Sequence, residues 1–494
     1  MEYIQLYQEM QEKIQVSDFC FKTEPYDHQR AAFDESRKLQ NFALFMDMGT
    51  GKTKVVLDTI GTAFEEGKID LALVVAPKGV IANWLSEIET HLPDRIAREI
   101  VLWKPSLTKT KRAELNSLYE GDHKLRFLLM NVEAFSTKKG TDVAKLFVER
   151  FNTFMVVDES TTIKNRQAKR TKALCAVGRG ARFRRILTGS PVTKSPLDLF
   201  SQLGFLDPEI LGFNSYYTFQ NRYAVVQRRT MGTHSFNQVV GFQRLDELTN
   251  KLNENSFRVR KEDCLDLPDK VYMRRLVELT DEQSKAYAQM THFALARLSS
   301  GELSTTQNVL TQIMRLQQIC LGHLTSDDGE VHELKSNRLD ELLDICEEIQ
   351  GKAIIWATWT RDIRSIAEAL RDRHSVQAVA RLHGETPDSE RQQIVENFQD
   401  RHSDLRFLVG HPKTGGYGLT LTAASTVIYY SNSYDLELRL QSEDRAHRIG
   451  QVNKVTYIDL IAPDTVDQKI VGALRDKISI ADQILGEEAR KWLV

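Results

Sequence analysis

Short, nearly unbroken apolar runs alternate with stretches of helical period along two parts of this chain. The first series is Phe42-Ala43-Leu44-Phe45-Met46, Leu71-Ala72-Leu73-Val74-Val75, Phe127-Leu128-Leu129-Met130, Phe154-Met155-Val156-Val157 and Arg185-Ile186-Leu187. The second is Ala353-Ile354-Ile355-Trp356, Val376-Gln377-Ala378-Val379, Arg406-Phe407-Leu408-Val409, Thr426-Val427-Ile428-Tyr429-Tyr430 and Val455-Thr456-Tyr457-Ile458. Runs this short, each followed by helix, mark strands of a parallel sheet covered on both faces. A strand with one wet face would alternate instead. The pattern predicts two doubly wound α/β lobes.

Between the series, about 197–350, the strand rhythm fades and helical spacing dominates, as at Leu310, Ile313, Met314 and Leu316-Gln317. The connection between lobes is expected near Asp263–Val271, around Leu267-Pro268. The domains are therefore read as 1–265, with a helical insertion at about 205–262, and 266–494, with one at about 280–345. Residues 1–20 read as a short amphipathic helix. The tail 464–486, with Val466, Ile470, Leu474 and Ile478 four apart, reads as a helix packing back on the body.

Composition changes this picture little. A chain of 494 residues exceeds the size at which one core keeps growing, which fits two domains. With 41% hydrophobic and 27% charged residues it reads as an ordinary globular protein. No apolar stretch has bilayer-spanning length. The start (Glu2, Gln5, Glu9, Glu12, Lys13) lacks the apolar core of a signal peptide, so a cytoplasmic location is expected. Five scattered cysteines (Cys20, Cys175, Cys264, Cys320, Cys346) without a CxxC pair read as small hydrophobes in a reducing compartment, with no structural metal. A net charge of −2 excludes a polycation that coats nucleic acid and leaves room for a local basic groove. The chain reads as a core machine without accessory domains.

The chemistry sits at strand ends. Met46-Asp47-Met48-Gly49-Thr50-Gly51-Lys52-Thr53 follows a strand and opens a helix, as a phosphate loop must. Glycines let backbone N–H groups wrap phosphates at the helix N-terminus. Lys52 is expected to reach the β/γ-phosphates and Thr53 to ligate Mg²⁺. Met46 stands where the full pattern has glycine, making a tighter loop. Asp158 and Glu159 follow the strand Val156-Val157, where ligands sit in open α/β sheets. Asp158 is expected to hold Mg²⁺ and Glu159 to orient and deprotonate the attacking water. Arg445 and Arg448, three apart, lie on one face if helical. By spacing alone they are either a surface ion-pair helix or a clamp on phosphate oxygens.

The stretch Gln441-Ser442-Glu443-Asp444-Arg445-Ala446-His447-Arg448-Ile449-Gly450-Gln451 resembles motif VI of the Swi/Snf-type ATPases of helicase superfamily 2. Other blocks resemble that family in order. They are Pro25-Tyr26-Asp27-His28-Gln29 (the adenine-reading motif), Val75-Ala76-Pro77 with Asn83-Trp84 and Glu87 (Ia), Asp158–Asn165 (II), and Leu187-Thr188-Gly189-Ser190-Pro191-Val192 through Leu206-Asp207-Pro208 (III). In the second lobe Leu382-His383-Gly384 and Gly415-Gly416-Tyr417-Gly418-Leu419-Thr420-Leu421-Thr422 resemble elements of motifs IV and V. The likeness spans about residues 24–485. It implies two RecA-like lobes with helical insertions and an ATP cleft between them. It also implies ATP and Mg²⁺ as cofactors, with Gln29, Met48, Gly49, Thr50, Gly51, Lys52, Thr53, Asp158 and Gly418 at the nucleotide. Arg445 and Arg448 become arginine fingers.

The chain departs from that family at named places. Ser160-Thr161 stand where motif II usually has Ala-His, removing the histidine that couples to motif III. Ser433-Tyr434-Asp435-Leu436 replaces the usual Trp-Asn-Pro, and Val55 replaces a glutamine. Loosened motifs without reader domains look more like a phage or bacterial member than a eukaryotic remodeller.

For nucleic acid, the resemblance implies Lys78, Ser190, Thr358 and Thr414. Separately, Lys164, Arg166, Lys169, Arg170, Lys172, Arg179, Arg182, Arg184 and Arg185 form an acid-free basic run. It is either phosphate contact or a solvated helix face. Trp356 and Trp359 would stack on bases or, more simply, pack in the core. The expected function is DNA-stimulated ATP hydrolysis driving movement on duplex DNA. The rivals are a strand-separating or annealing helicase, on DNA or RNA, and a slow nucleotide-switched binding module.

Overall fold

The computed structural model describes residues 19–105, 108–120, 123–192, 195–213, 215–231, 234–264, 267–299, 306–326, 330–384, 386–415, 419–433, 435–472 and 474. Residues 1–18 of the predicted N-terminal helix, Gly416, Tyr417, Gly418, Tyr434 and Ile478 lie outside these. Contacts divide the chain into two units, Met1–Pro191 with Leu197–Arg260, and Val192–Pro196 with Lys261–Val494. No described helix is long and apolar enough to cross a membrane.

The first unit is built on a seven-stranded parallel sheet. Its strands are β1 (Asn41–Met46), β2 (Leu71–Ala76), β3 (Arg98–Leu102), β4 (Leu125–Asn131), β5 (Thr153–Asp158), β6 (Phe183–Leu187) and β9 (Ser256–Val259). β7 (Ala224–Met231) and β8 (His234–Phe242) form a separate antiparallel hairpin. The sheet order is β3-β4-β2-β5-β6-β1-β9. Side chains of β2 and β5 are buried along their whole length, as helices on both faces require. All strands being parallel, the phosphate loop after β1 and the carboxylates after β5 emerge on one edge.

The predicted strands are present, and the sequence reading missed β3 and β9 at the sheet's two borders. The stretch 205–262, read as a helical insertion, also holds the β7–β8 hairpin and the sheet strand β9, among the helices Pro208–Leu211, Tyr216–Tyr223 and Leu245–Asn253.

The second unit carries a six-stranded parallel sheet in the order β10-β17-β16-β13-β15-β14. These strands are β10 (Lys270–Leu276), β13 (Lys352–Trp356), β14 (Val379–Leu382), β15 (Phe407–Gly410), β16 (Ala424–Tyr429) and β17 (Val455–Ile461), with a small hairpin of β11 (His323–Thr325) and β12 (Val331–Glu333). β10 was not foreseen; it occupies part of the segment read as interlobe connection. The helix Thr306–Cys320 turns Ile313 and Leu316 onto a cluster that also takes Val466, Ile470 and Leu474 from the start of the tail helix. Met314, also expected on the inner face, is half exposed. Trp356 is wholly buried in the core, which removes it as a base-stacking platform, and Trp359 packs partly buried against a second cluster that holds Ile355 and Ile363. Cys320 and Cys346 are buried hydrophobes as expected, whereas Cys20 is exposed.

Candidate functional site

In the first unit the loop after β1 turns through two glycines in the left-handed region, Gly49 at φ 80° and Gly51 at φ 90°. Only glycine adopts these angles without a steric cost. At Gly51 a Cβ would also lie 2.2 Å from Gln29 Nε2. Lys52 opens the helix Lys52–Glu65, and its ammonium donates to the carbonyls of Met46 (2.7 Å) and Asp47 (3.1 Å). The first-turn amides of that helix have no acceptor within it, and the dipole there is positive. A phosphate group fits this end.

Gln29 holds the loop from outside. Its Nε2 donates to the Thr50 carbonyl (3.1 Å), while its Oε1 accepts from the Tyr26 amide (3.1 Å). His28 Nε2 also contacts the Thr50 carbonyl at 2.8 Å. That bond requires a protonated Nε2, which the neutral imidazole provides; burial keeps the ring below its ordinary pKa. Thr50 Oγ1 in turn donates to the Asp47 carbonyl at 2.7 Å. The residue expected to read adenine is thus seen here holding the loop after β1.

Asp158 ends β5, buried. Trp84 Nε1 donates to its Oδ2 (2.9 Å) and the Glu159 amide to its Oδ1 (2.9 Å). Burial pushes its carboxyl above the usual range, opposed by Trp84 and by the nearby Lys52 charge. A carboxylate such as Asp158 and a threonine hydroxyl such as that of Thr53, in the first turn of the helix after the loop, are both hard oxygen donors of the kind that suits Mg²⁺. Trp84 was visible as part of a motif, but not as the group that holds this carboxylate. Arg258 on β9 was missed altogether. It donates to the carbonyls of Phe45 (3.0 Å) and Gly189 (2.8 Å) and pairs with Asp47 at 3.5 Å. Nothing in its sequence surroundings marks it; the pairing of β9 with β1 does.

Glu159 sits at φ 48°, a strained left-handed position for a side chain bearing a Cβ. The turn after it is pinned. Ser160 Oγ donates to Gln202 Oε1 (2.7 Å), and Gln202 Nε2 donates to the carbonyls of Pro191 (2.7 Å) and Asp198 (3.0 Å). Ser160 and Gln202 are both wholly buried. A buried serine–glutamine link thus ties the carboxylate turn to Pro191, at the end of the Thr188–Pro191 segment. Ser160→Ala or Gln202→Leu should each cost about 1–3 kcal/mol of stability, because each strands a buried polar partner. Denaturant unfolding of both single variants and the double variant checks this. The double should cost less than the sum, by about 0.5–3 kcal/mol. Full additivity would mean the two side chains act apart.

In the second unit the helix Leu436–Glu443 ends before the arginines, so Arg445 and Arg448 lie in the turn that follows and not on a helix face. They converge nonetheless: Arg445 Nη1 and Arg448 Nη1 both point at the Leu419 carbonyl, at 3.5 and 3.4 Å. Arg445 is buried, Arg448 half-buried. Gly418, expected at the nucleotide, lies outside the described residues. The turn is anchored by Lys261, whose ammonium donates to Asp444 (2.6 Å) and to the His447 carbonyl (2.7 Å). Lys270 and Tyr272 bind Glu443 at 3.1 and 2.7 Å. Burial alone would raise the Asp444 carboxyl; Lys261 and Lys270 outweigh it and hold the group below its usual range.

The nucleic-acid candidates fall at strand ends. Lys78 is exposed at the start of the helix following β2, and Ser190 is half-buried after β6. Thr358 follows β13, its amide and hydroxyl both tied to Ser431 Oγ (2.8 and 3.0 Å). Thr414 lies in the short helix Pro412–Gly415 after β15. The basic run divides. Arg185 is wholly buried, donating to the carbonyls of Ser36 (2.6 Å), Leu39 (2.8 Å) and Gln40 (2.7 Å), so it caps a helix end and does not face phosphate. Arg184 binds Asn41 and the Phe205 carbonyl, Arg182 the Lys68 carbonyl and Arg170 the Thr162 carbonyl. Lys169, Lys172 and Arg179 are exposed.

The SNF2-related domain family matches residues 26–323, and the helicase conserved C-terminal domain family matches residues 334–450. An uncharacterized ATP-dependent helicase of Mycoplasma pneumoniae is 26% identical over 443 residues, covering 90% of this chain and 40% of its own length. A putative ATP-dependent helicase/translocase of Bacillus subtilis is 27% identical over 458 residues, with 90% of this chain and 46% of its own length covered. Among solved structures, a Sulfolobus solfataricus SWI2/SNF2 ATPase core in complex with double-stranded DNA is 23% identical at a TM-score of 0.42, covering 97% of this chain and 96% of its own.

Proposed function

The chain belongs to the SNF2-related family, and from that premise we propose that it is an ATP-driven motor whose ATP hydrolysis is stimulated by, and moves it along, duplex DNA. It spans under half the length of the curated relatives cited, so their whole activities do not transfer to it unaltered. The observation that carries the reading is the loop after β1, with Lys52 opening the helix that follows, and buried Asp158 at the end of β5, on one edge of one parallel sheet.

In this reading the loop Met48–Thr53 and Gln29 bind ATP. Mg²⁺, held with the nucleotide by Thr53 and Asp158, would spread the charge of the terminal phosphates. Glu159 orients water and accepts its proton. Arg445 and Arg448 add guanidinium charge to the phosphates in the hydrolysing state. Each nucleotide closes and reopens the two lobes, and DNA favours the closed state, so stimulation is a population shift. Lys78, Ser190, Thr358 and Thr414 line the track. Bacterial relatives fit work in a bacterial or phage-infected cytoplasm.

The test is ATP turnover with duplex DNA, single-stranded DNA and RNA at two salt concentrations. Duplex stimulation that weakens with salt is expected; stimulation by RNA alone would overturn the substrate. Displacement assays on forked and blunt substrates separate translocation from strand separation. Lys52→Ala should abolish turnover in the same assay, and retained turnover would remove the loop from the mechanism.

A further inference from the structure

The β7–β8 hairpin has no part in the site above, and its construction is unusual for an element of a globular unit. The two strands pair only with each other, through eight residue pairs from Ala224↔Phe242 to Met231↔His234. Their described side chains are largely in solvent: Gln227, Arg228 and Asn237 are exposed, as are the apolar Val225 (40%) and Val240 (42%). A two-stranded ribbon is marginal in water unless something holds it. What holds this one is its root.

Tyr223 is wholly buried against Phe213 and Phe219, and its hydroxyl donates to Glu247 at 2.9 Å. Arg222 pairs with the same carboxylate. The Gln243 amide donates to the Tyr223 carbonyl at 2.9 Å, closing the base. These contacts tie the root to the body, and beyond Ala224 none of the ribbon's described side chains is buried, so its surface is what the fold presents.

Charge identifies the occupant. Residues 210–245 contain no Asp or Glu, in a chain with 68 of them among 494 residues, while Arg222, Arg228, Arg229 and Arg244 fall within the stretch. Against a net charge of −2 this is a strong local departure. A strand of eight residues extends about 26 Å. A two-stranded ribbon fits the major groove of duplex DNA, where phosphates flank it and thymine methyls offer apolar contact.

Resting on the duplex-motor reading, we propose that the hairpin Ala224–Phe242 is an arm that engages duplex DNA through phosphate contact from the exposed Arg228, in a stretch of sequence that also carries Arg229 and no acid. The arm adds grip on the track and takes no part in hydrolysis.

Two variants test this: R228S/R229S, and a chain in which residues 226–240 are replaced by an Asn-Gly turn, which suits a tight hairpin. Binding to a fluorescent duplex across a salt series, without nucleotide, is measured beside DNA-free ATP turnover. Both variants should bind duplex roughly ten-fold more weakly, with a log–log salt slope shallower by about 2. DNA-free turnover should be unchanged, which also reports an intact fold. Affinity and slope equal to those of the unaltered chain would overturn the arm. So would a loss confined to single-stranded DNA or RNA. If the unaltered chain itself neither binds duplex nor is stimulated by it, the motor reading fails; failure of the arm alone leaves that stimulation in place.

Discussion

Glu159→Gln is expected to bind ATP as the unaltered chain does and to hydrolyse it about 10²–10⁴-fold more slowly, the range typical of a lost general base. The substitution keeps size and one acceptor oxygen, and replaces the proton-accepting carboxylate with a neutral amide. In the proposed mechanism nucleotide binding rests on other groups: the loop with Gly49 and Gly51 at positive φ, Lys52 at the helix start and Gln29 across Thr50. The backbone at position 159, already strained at φ 48°, is pinned by Ser160 and Gln202 on its far side, so the amide should occupy the same place. Titration with a fluorescent ATP analogue and steady-state phosphate release with duplex DNA check both halves. Turnover within a few-fold of the unaltered chain would show that another group takes the proton.

Arg448→Ala should cut DNA-stimulated turnover by about 10³–10⁵-fold, the scale set by arginine fingers. It is a cleaner probe than Arg445→Ala. Arg445 is buried at 3% exposure, so its truncation opens a cavity and confuses folding with catalysis. Arg448 is half-buried, and its turn is fixed independently through Lys261 on Asp444 and the His447 carbonyl. Arg448→Lys should not restore the rate, because a point charge cannot reproduce a planar two-pronged contact. Preserved stimulation in Arg448→Ala would contradict the guanidinium clamp.

The strands legible in the sequence and those missed differ in one physical respect. β2, β5, β13 and β16 each have a strand on both sides and helices on both faces, so nearly every side chain is buried and the apolar run is continuous. β3, β9 and β10 are border strands with one neighbour. Their sequences mix charge with apolar residues, as in Arg98–Leu102 and Lys270–Leu276, and the run is broken. The border strand β14 also begins three residues later than the reading Val376–Val379.

The site divides in the same way. Gly49-Thr50-Gly51-Lys52-Thr53 and Asp158-Glu159 are local constellations, readable because a turn, a helix start and a strand end need those residues side by side. The arginine pair was readable only through its neighbours in motif VI, and its local conformation was not: the helix stops at Glu443. Determined by the sequence itself were the two parallel-sheet lobes, the phosphate loop, the paired carboxylates and the arginine-bearing segment. Only the tertiary structure decided what holds them: Trp84 on Asp158, Ser160 on Gln202, Arg258 on Asp47 and Lys261 on Asp444. Those partners lie 74 residues apart in the first case and 183 in the last. Period and spacing report what a residue does within its own turn or strand. Which distant side chain satisfies a buried polar atom depends on the order in which strands meet, and that order is a property of the folded sheet.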